Sequence, residues 1–292
     1  MASLRTTPNT AVKPTLKPET VQTGRVQSLW RIFWPPALTV GLIIVLWQVI
    51  YLLLTNGLEE DSLAYKRQQS ILPSPLKVIT GFTENADIFL DAACVTLTNA
   101  LIGFLIGAVI GYALALLIDQ ARWVERSFYV YIVASQMIPV IALAPILYGI
   151  IKDETMLKIT VSAYLTFFPV TVNVLKGLRS VNTLSLELMH TYAASRREIY
   201  LRLRIPASLP FLFNALKIAS TGSLIGAIVA ELMGGNAGLG VLILKLQYSS
   251  YARSDRLWAL IILAALVGML FFLAVSLVER LVVPWQPEYR KK

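Results

Sequence analysis

The stretch Lys176–Pro210, KGLRSVNTLSLELMHTYAASRREIYLRLRIPASLP, decides how the rest of the chain is read. It lies between two apolar runs, too polar to cross a bilayer and too long for a simple turn. From Leu188 onward, Leu188, Tyr192, Ile199 and Leu203 recur near helical spacing, with Arg196, Arg197, Arg202 and Arg204 interleaved. Such an amphipathic segment either lies on a lipid surface or docks in the groove of a partner. Pro206 and Pro210 are expected to end it, because proline removes a backbone donor and clashes with the preceding turn.

Outward from this stretch the chain is mostly apolar. Of 292 residues, 56% are apolar and only 15% are charged, against roughly 25% charged in an average soluble domain. Charge is costly inside lipid, so this balance indicates an all-α polytopic membrane protein with about six spans. The spans are read at about 37–54, 96–118, 128–151, 156–175, 211–232 and 257–283. Residues 1–32 are polar and are expected as a flexible tail. The first span and the polar segment after it make up 33–95, with a surface helix from Pro75 to about Leu90. Residues 96–283 form the core, interrupted by the 176–208 loop, and 284–292 form a second tail.

Charge sets the orientation. With the N-terminus inside, the inner segments carry 17 of the 26 basic residues and the outer segments carry eight. Both termini are therefore expected to be cytoplasmic. The net charge of +9 is spread over these loops without a recognition motif, which argues against nucleic-acid binding. One cysteine, Cys94, and one histidine, His190, supply neither a metal site nor a catalytic set. The run Gly234–Gly240 lacks the lysine of a phosphate-binding loop, and is expected as a flexible outer turn.

Within the spans, Gly103, Gly107 and Gly111 fall on one helix face and allow close backbone approach. Pro139 and Pro145 are expected to break the third span. Polar residues in apolar surroundings either cap helices or face a translocation path. Asn99, Ser135, Gln136, Asn173, Thr221 and Ser223 are candidates to line a pore. Glu231, ending the fifth span, either faces a cavity or marks the outer interface.

The 176–208 loop resembles the cytoplasmic signature of ABC importer permeases: E-A-A, three residues, G, nine residues, then I-x-L-P. Glu187 takes the acidic position, Leu188 and Met189 replace the alanines, and Ala193 replaces the glycine. Leu203, Arg204, Ile205 and Pro206 follow at the expected distance. If the loop needs a positive φ at that position, Ala193 is strained relative to glycine. LPSPLKVI (Leu72 to Ile79), MIPVIALAPI (Met137 to Ile146), GLRSV (Gly177 to Val181), Ala194-Ser195-Arg196 and IGAIVAELMG (Ile225 to Gly234) resemble the nitrate/sulfonate/taurine-type branch.

The resemblance implies a type I (MetI-like) permease fold in a bacterial inner membrane. It implies a pore shared with a second permease copy or a related permease, a cytoplasmic ABC ATPase, and an extracytoplasmic binding protein. Glu187, Leu188, Met189, Tyr192, Ala193, Arg196, Leu203, Ile205 and Pro206 would form the ATPase-coupling loop. This chain would bind no cofactor; ATP and Mg would sit on the ATPase. Nitrate, bicarbonate, sulfonates and vitamin or pyrimidine precursors are the solutes of that branch. The alternative function is an ATPase-independent channel or secondary transporter. Against it, the span centres carry Asn, Gln and Ser rather than ionisable groups.

Overall fold

The computed structural model describes residues 25–59, 62–120, 122–248 and 254–285. Every regular element among them is a helix. The chain divides into two units, residues 1–50 and 51–292. Helix α1, Arg25–Thr55, crosses that boundary. Residues 1–24 of the expected N-terminal tail lie outside the described residues, as do 286–292 of the C-terminal one. From Arg25 the chain is already helical. The apolar part of α1, Trp34–Thr55, is long enough to span a bilayer and presents Leu42, Val45 and Leu53 outward.

The second unit continues with α2 (Leu63–Ile71), α3 (Pro75–Thr83), α4 (Ala86–Gln120), α5 (Arg122–Ser135) and α6 (Val140–Ile151). Then come α7 (Glu154–Arg179), α8 (Thr183–Thr191), α9 (Arg196–Ile199) and a π-helical turn (Tyr200–Arg204). Helices α10 (Ile205–Gly234), α11 (Leu239–Gln247) and α12 (Ser254–Val282) complete it. Five helical stretches can cross a membrane, six if the bent pair α5–α6 counts as one.

The surface helix expected from Pro75 to about Leu90 stops at Thr83. The Asn85 side chain donates to the Gly81 carbonyl at 2.8 Å, satisfying the last turn of α3. The Asn85 carbonyl then accepts the Phe89 N–H at the start of α4. The expected break of the third span occurs at only one of its two prolines. Pro139 is the N-cap of α6, whereas α6 runs through Pro145. The bend between α5 and α6 is 101°, and the Ser135 carbonyl there accepts both the Ile138 N–H at 3.3 Å and the Tyr164 hydroxyl. Protein groups thus replace the lost helical bonds, as a break within a bilayer requires.

Helix α7 is the centre of the bundle, packed between α4 and α10. Lipid tails are as apolar as leucine, so packing rather than water exclusion must hold such helices together. The three glycines of α4 supply it. A Cβ on Gly107 would lie 2.5 Å from the Ala163 carbonyl oxygen of α7, and one on Gly111 would lie 2.5 Å from that of Phe167. The stripe is therefore a helix–helix contact within this chain. Phe104 and Phe271 meet edge to face at 5.1 Å. They close one core cluster with Ile118, Val170, Val174, Leu178 and Ala215.

Candidate functional site

The amphipathic stretch does not form one helix. Helix α8 begins at the N-cap Asn182, whose side chain accepts the Leu184 N–H at 3.1 Å. It ends at Thr191. The Ala194 N–H reaches the Met189 carbonyl at 3.0 Å, and the Ala193 N–H reaches that of His190 at 2.9 Å. This 6→1 and 5→2 pair is a Schellman motif, which places its C′ residue in the left-handed region. That residue is Ala193, with φ of 52°. The chain restarts through a capping box: the Ser195 hydroxyl accepts the Glu198 N–H, and the Glu198 carboxylate accepts the Ser195 N–H at 2.9 Å.

This break separates the apolar positions into two sets. Leu184, Leu188 and Tyr192 recur every four residues and are 69%, 56% and 77% exposed. Glu187 is exposed beside them, and Met189 is half-buried. Ile199 is buried, and Leu203, Ile205 and Pro206 are half-buried against the bundle, while Arg196 is exposed. Pro206 and Pro210 do not end the segment, because Arg196–Gly234 is one continuous helical stretch. The π turn immediately before Pro206 carries the backbone into α10 with Pro206 in its first turn, where a missing N–H costs little.

A second cluster ties this segment to the bundle. The Asp119 carboxylate, at the end of α4, accepts from the Tyr200 hydroxyl at 2.6 Å and from Arg204 Nη1 at 2.8 Å. Its other oxygen accepts from Arg179 Nε at 3.3 Å. Arg179, ending α7, also makes a forked pair with Glu125 of α5 at 2.6 and 3.0 Å. The Asp119 side chain is only 3% exposed.

At the opposite end of the bundle, Glu231 is buried rather than facing open space. Its carboxyl group accepts from the Thr96 hydroxyl at 2.9 Å and from the Gly240 N–H at 2.9 Å. The same hydroxyl accepts the Leu239 N–H at 2.8 Å. Lys158 Nζ donates to the Ala237 carbonyl at 2.8 Å. The glycine run expected as a flexible turn is therefore fastened on three sides. Gly238 has a φ of 125°, and a Cβ there would collide with the Glu231 carboxyl.

The other pore candidates separate by exposure. Asn99 and Ser223 are buried; Asn99 donates to the Val95 carbonyl, and the Ser223 carbonyl accepts from Ser162. Half-buried Ser135 and Asn173 donate within their own helices, to Ile132 and Pro169. Gln136 and Thr221 are exposed. Thr221 borders an apolar groove between α10 and α12 with Ile225, Gly268 and Phe272. The structure thus brings none of these residues into one shared cavity within the described residues of this chain.

Residues 99–285 match the family described as binding-protein-dependent transport system inner membrane component. The chain belongs to that family. This permease is 36% identical over 220 residues to the formylaminopyrimidine transport permease protein of Halalkalibacterium halodurans, covering 75% of this chain and 87% of that one. It is 30% identical to the riboflavin transport system permease protein of Chloroflexus aurantiacus, covering 92% and 97%. The fold matches a subunit of the MetNI methionine ABC transporter in an inward-facing conformation, with a TM-score of 0.56 and 19% identity. That match covers 67% of this chain and 96% of that one. The protein is thus the multi-pass permease of an ABC importer, with the MetI-like helical fold.

Two features of the permease escaped the sequence reading. Leu184 extends the exposed stripe of α8 one turn further back than Glu187–Ala193. Asp119 was silent because its partners Arg179, Tyr200 and Arg204 lie 60, 81 and 85 positions away. An acid closing an apolar run was the only signal available.

Proposed function

We propose that this permease is driven by a separate cytoplasmic ATPase that receives α8 in a groove. The observation that carries this reading is the stripe of Leu184, Leu188 and Tyr192, exposed on a short helix capped at both ends. Large apolar side chains left in the open on a polar segment mark an interaction surface. Glu187 beside the stripe meets a basic residue of the ATPase, and Arg196 flanks the docking site. ATP and Mg reside on that partner. The excess of basic residues on this side supports cytoplasmic termini. The pore is completed by a second copy or a related permease, with Gln136 and Thr221 among the side chains facing it. An extracytoplasmic binding protein delivers a small solute. The 36% identity to a formylaminopyrimidine permease favours a heteroaromatic vitamin precursor over a sulfonate or nitrate.

The test is co-expression of the tagged chain with the ATPase and binding protein encoded beside it, followed by hydrolysis measurements in nanodiscs. A stable complex whose hydrolysis rises with binding protein loaded with formylaminopyrimidine is expected. Stimulation only by a sulfonate or nitrate would overturn the solute assignment and leave the drive intact. No complex, with transport by the chain alone in liposomes, would favour an ATPase-independent channel or secondary transporter. Glu187→Lys is expected to lower the amount of ATPase retained while leaving the spans folded, as read by circular dichroism. Full retention would remove Glu187 from the docking site.

A further inference from the structure

We propose that Asp119 is a positioning residue for coupling, the joint through which movement of α8 reaches the spans. The proposal rests on the docking reading above. Helix α8 buries none of its side chains fully. A cleft of about 760 Å³ lies beside it, with Leu186 and His190 of α8 on one wall and Asp119 and Gln120 of α4 on another. A displacement of α8 reaches the bundle along the chain from both of its ends, back through Ser180 to Arg179 of α7 and forward through α9 and the π turn. There it meets Asp119, which holds Tyr200 and Arg204 on one carboxylate oxygen and Arg179 on the other. Four elements converge on this buried group: the ends of α4 and α7, the start of α5 through Glu125, and the π turn. Charge-assisted bonds converging on a carboxylate that is itself buried resist separation. The adjoining wide helical turn is the kind of irregularity found where helices change geometry. Tyr200, Arg204, Arg179 and α4 consequently move as one piece.

The experiment uses the full permease–ATPase complex in nanodiscs, with the ATPase made free of cysteine. Cys94, the single cysteine of this chain, is exposed toward the far end of α4 and takes an environment-sensitive fluorophore. In the native complex, ATP addition is expected to change its emission. Asp119→Asn keeps the shape and removes the charge; it should retain the ATPase and lose most of the emission change. Asp119→Glu should restore part of it, and Tyr200→Phe should give a smaller loss. A full response in both Asp119→Asn and Tyr200→Phe overturns the proposal. If Asp119→Asn fails to fold, Tyr200→Phe decides, since it deletes one hydroxyl. A native chain that retains no ATPase overturns the docking reading and this proposal together. Retention with a full variant response overturns only the latter.

Discussion

Ala193 carries the sharpest residue-scale consequence. The Schellman geometry needs a left-handed residue at C′, and an L-residue with a Cβ adopts it at a cost of about 1–2 kcal/mol. Ala193→Gly removes that strain and returns part of it as backbone entropy of the unfolded chain. The net expectation is about 1 kcal/mol of stabilisation, read as a higher Tm in detergent, and Ala193→Val should lower it. An unchanged Tm in both would show that the turn is not under strain. At the other end, Glu231→Ala leaves the buried Gly240 N–H without its acceptor. The lost hydrogen bonds should cost about 3 kcal/mol in total, with Thr96→Val showing a smaller loss. Equal stability of Glu231→Ala and the native chain would mean the carboxyl group is not structural.

At the scale of elements, the contact of α4 with α7 depends on absent side chains. Gly107→Leu drives a side chain into the Ala163 backbone and should destabilise the bundle by about 1–3 kcal/mol. Gly149 of α6 has nothing within 4 Å of its virtual Cβ, so Gly149→Ala should be neutral or slightly stabilising. Thermal unfolding of the two variants side by side separates packing from helix propensity; equal effects would contradict the packing account. The glycine spacing was legible in sequence because every fourth residue shares a helix face. The split of 176–208 into α8 and α9 was not. Leu188, Tyr192, Ile199 and Leu203 keep helical spacing across a break set by capping hydrogen bonds, and alanine at the turn hides it. The continuation through Pro206 was hidden too, since a π turn has no signature in the composition.

At the scale of the whole molecule, the apolar runs located the long helices, because a bilayer imposes length and composition together, but they missed where two of them start: α4 begins at Ala86 rather than 96 and α10 at Ile205 rather than 211. What periodicity does not encode is contact between distant ends. Asp119 with Arg204 and Thr96 with Glu231 are joined across 85 and 135 positions. These two polar clusters sit at opposite ends of one apolar bundle, one beside α8 and one beneath the glycine loop. In the proposed function, α8 is the contact through which the ATPase drives the permease. The most direct test is maleimide labelling of Tyr192→Cys in a Cys94→Ser background, with Lys152→Cys as a control on the α6–α7 turn. Assembly with the ATPase should slow labelling at position 192 several-fold and leave position 152 unchanged. Equal labelling at position 192 with and without the bound ATPase would contradict the account.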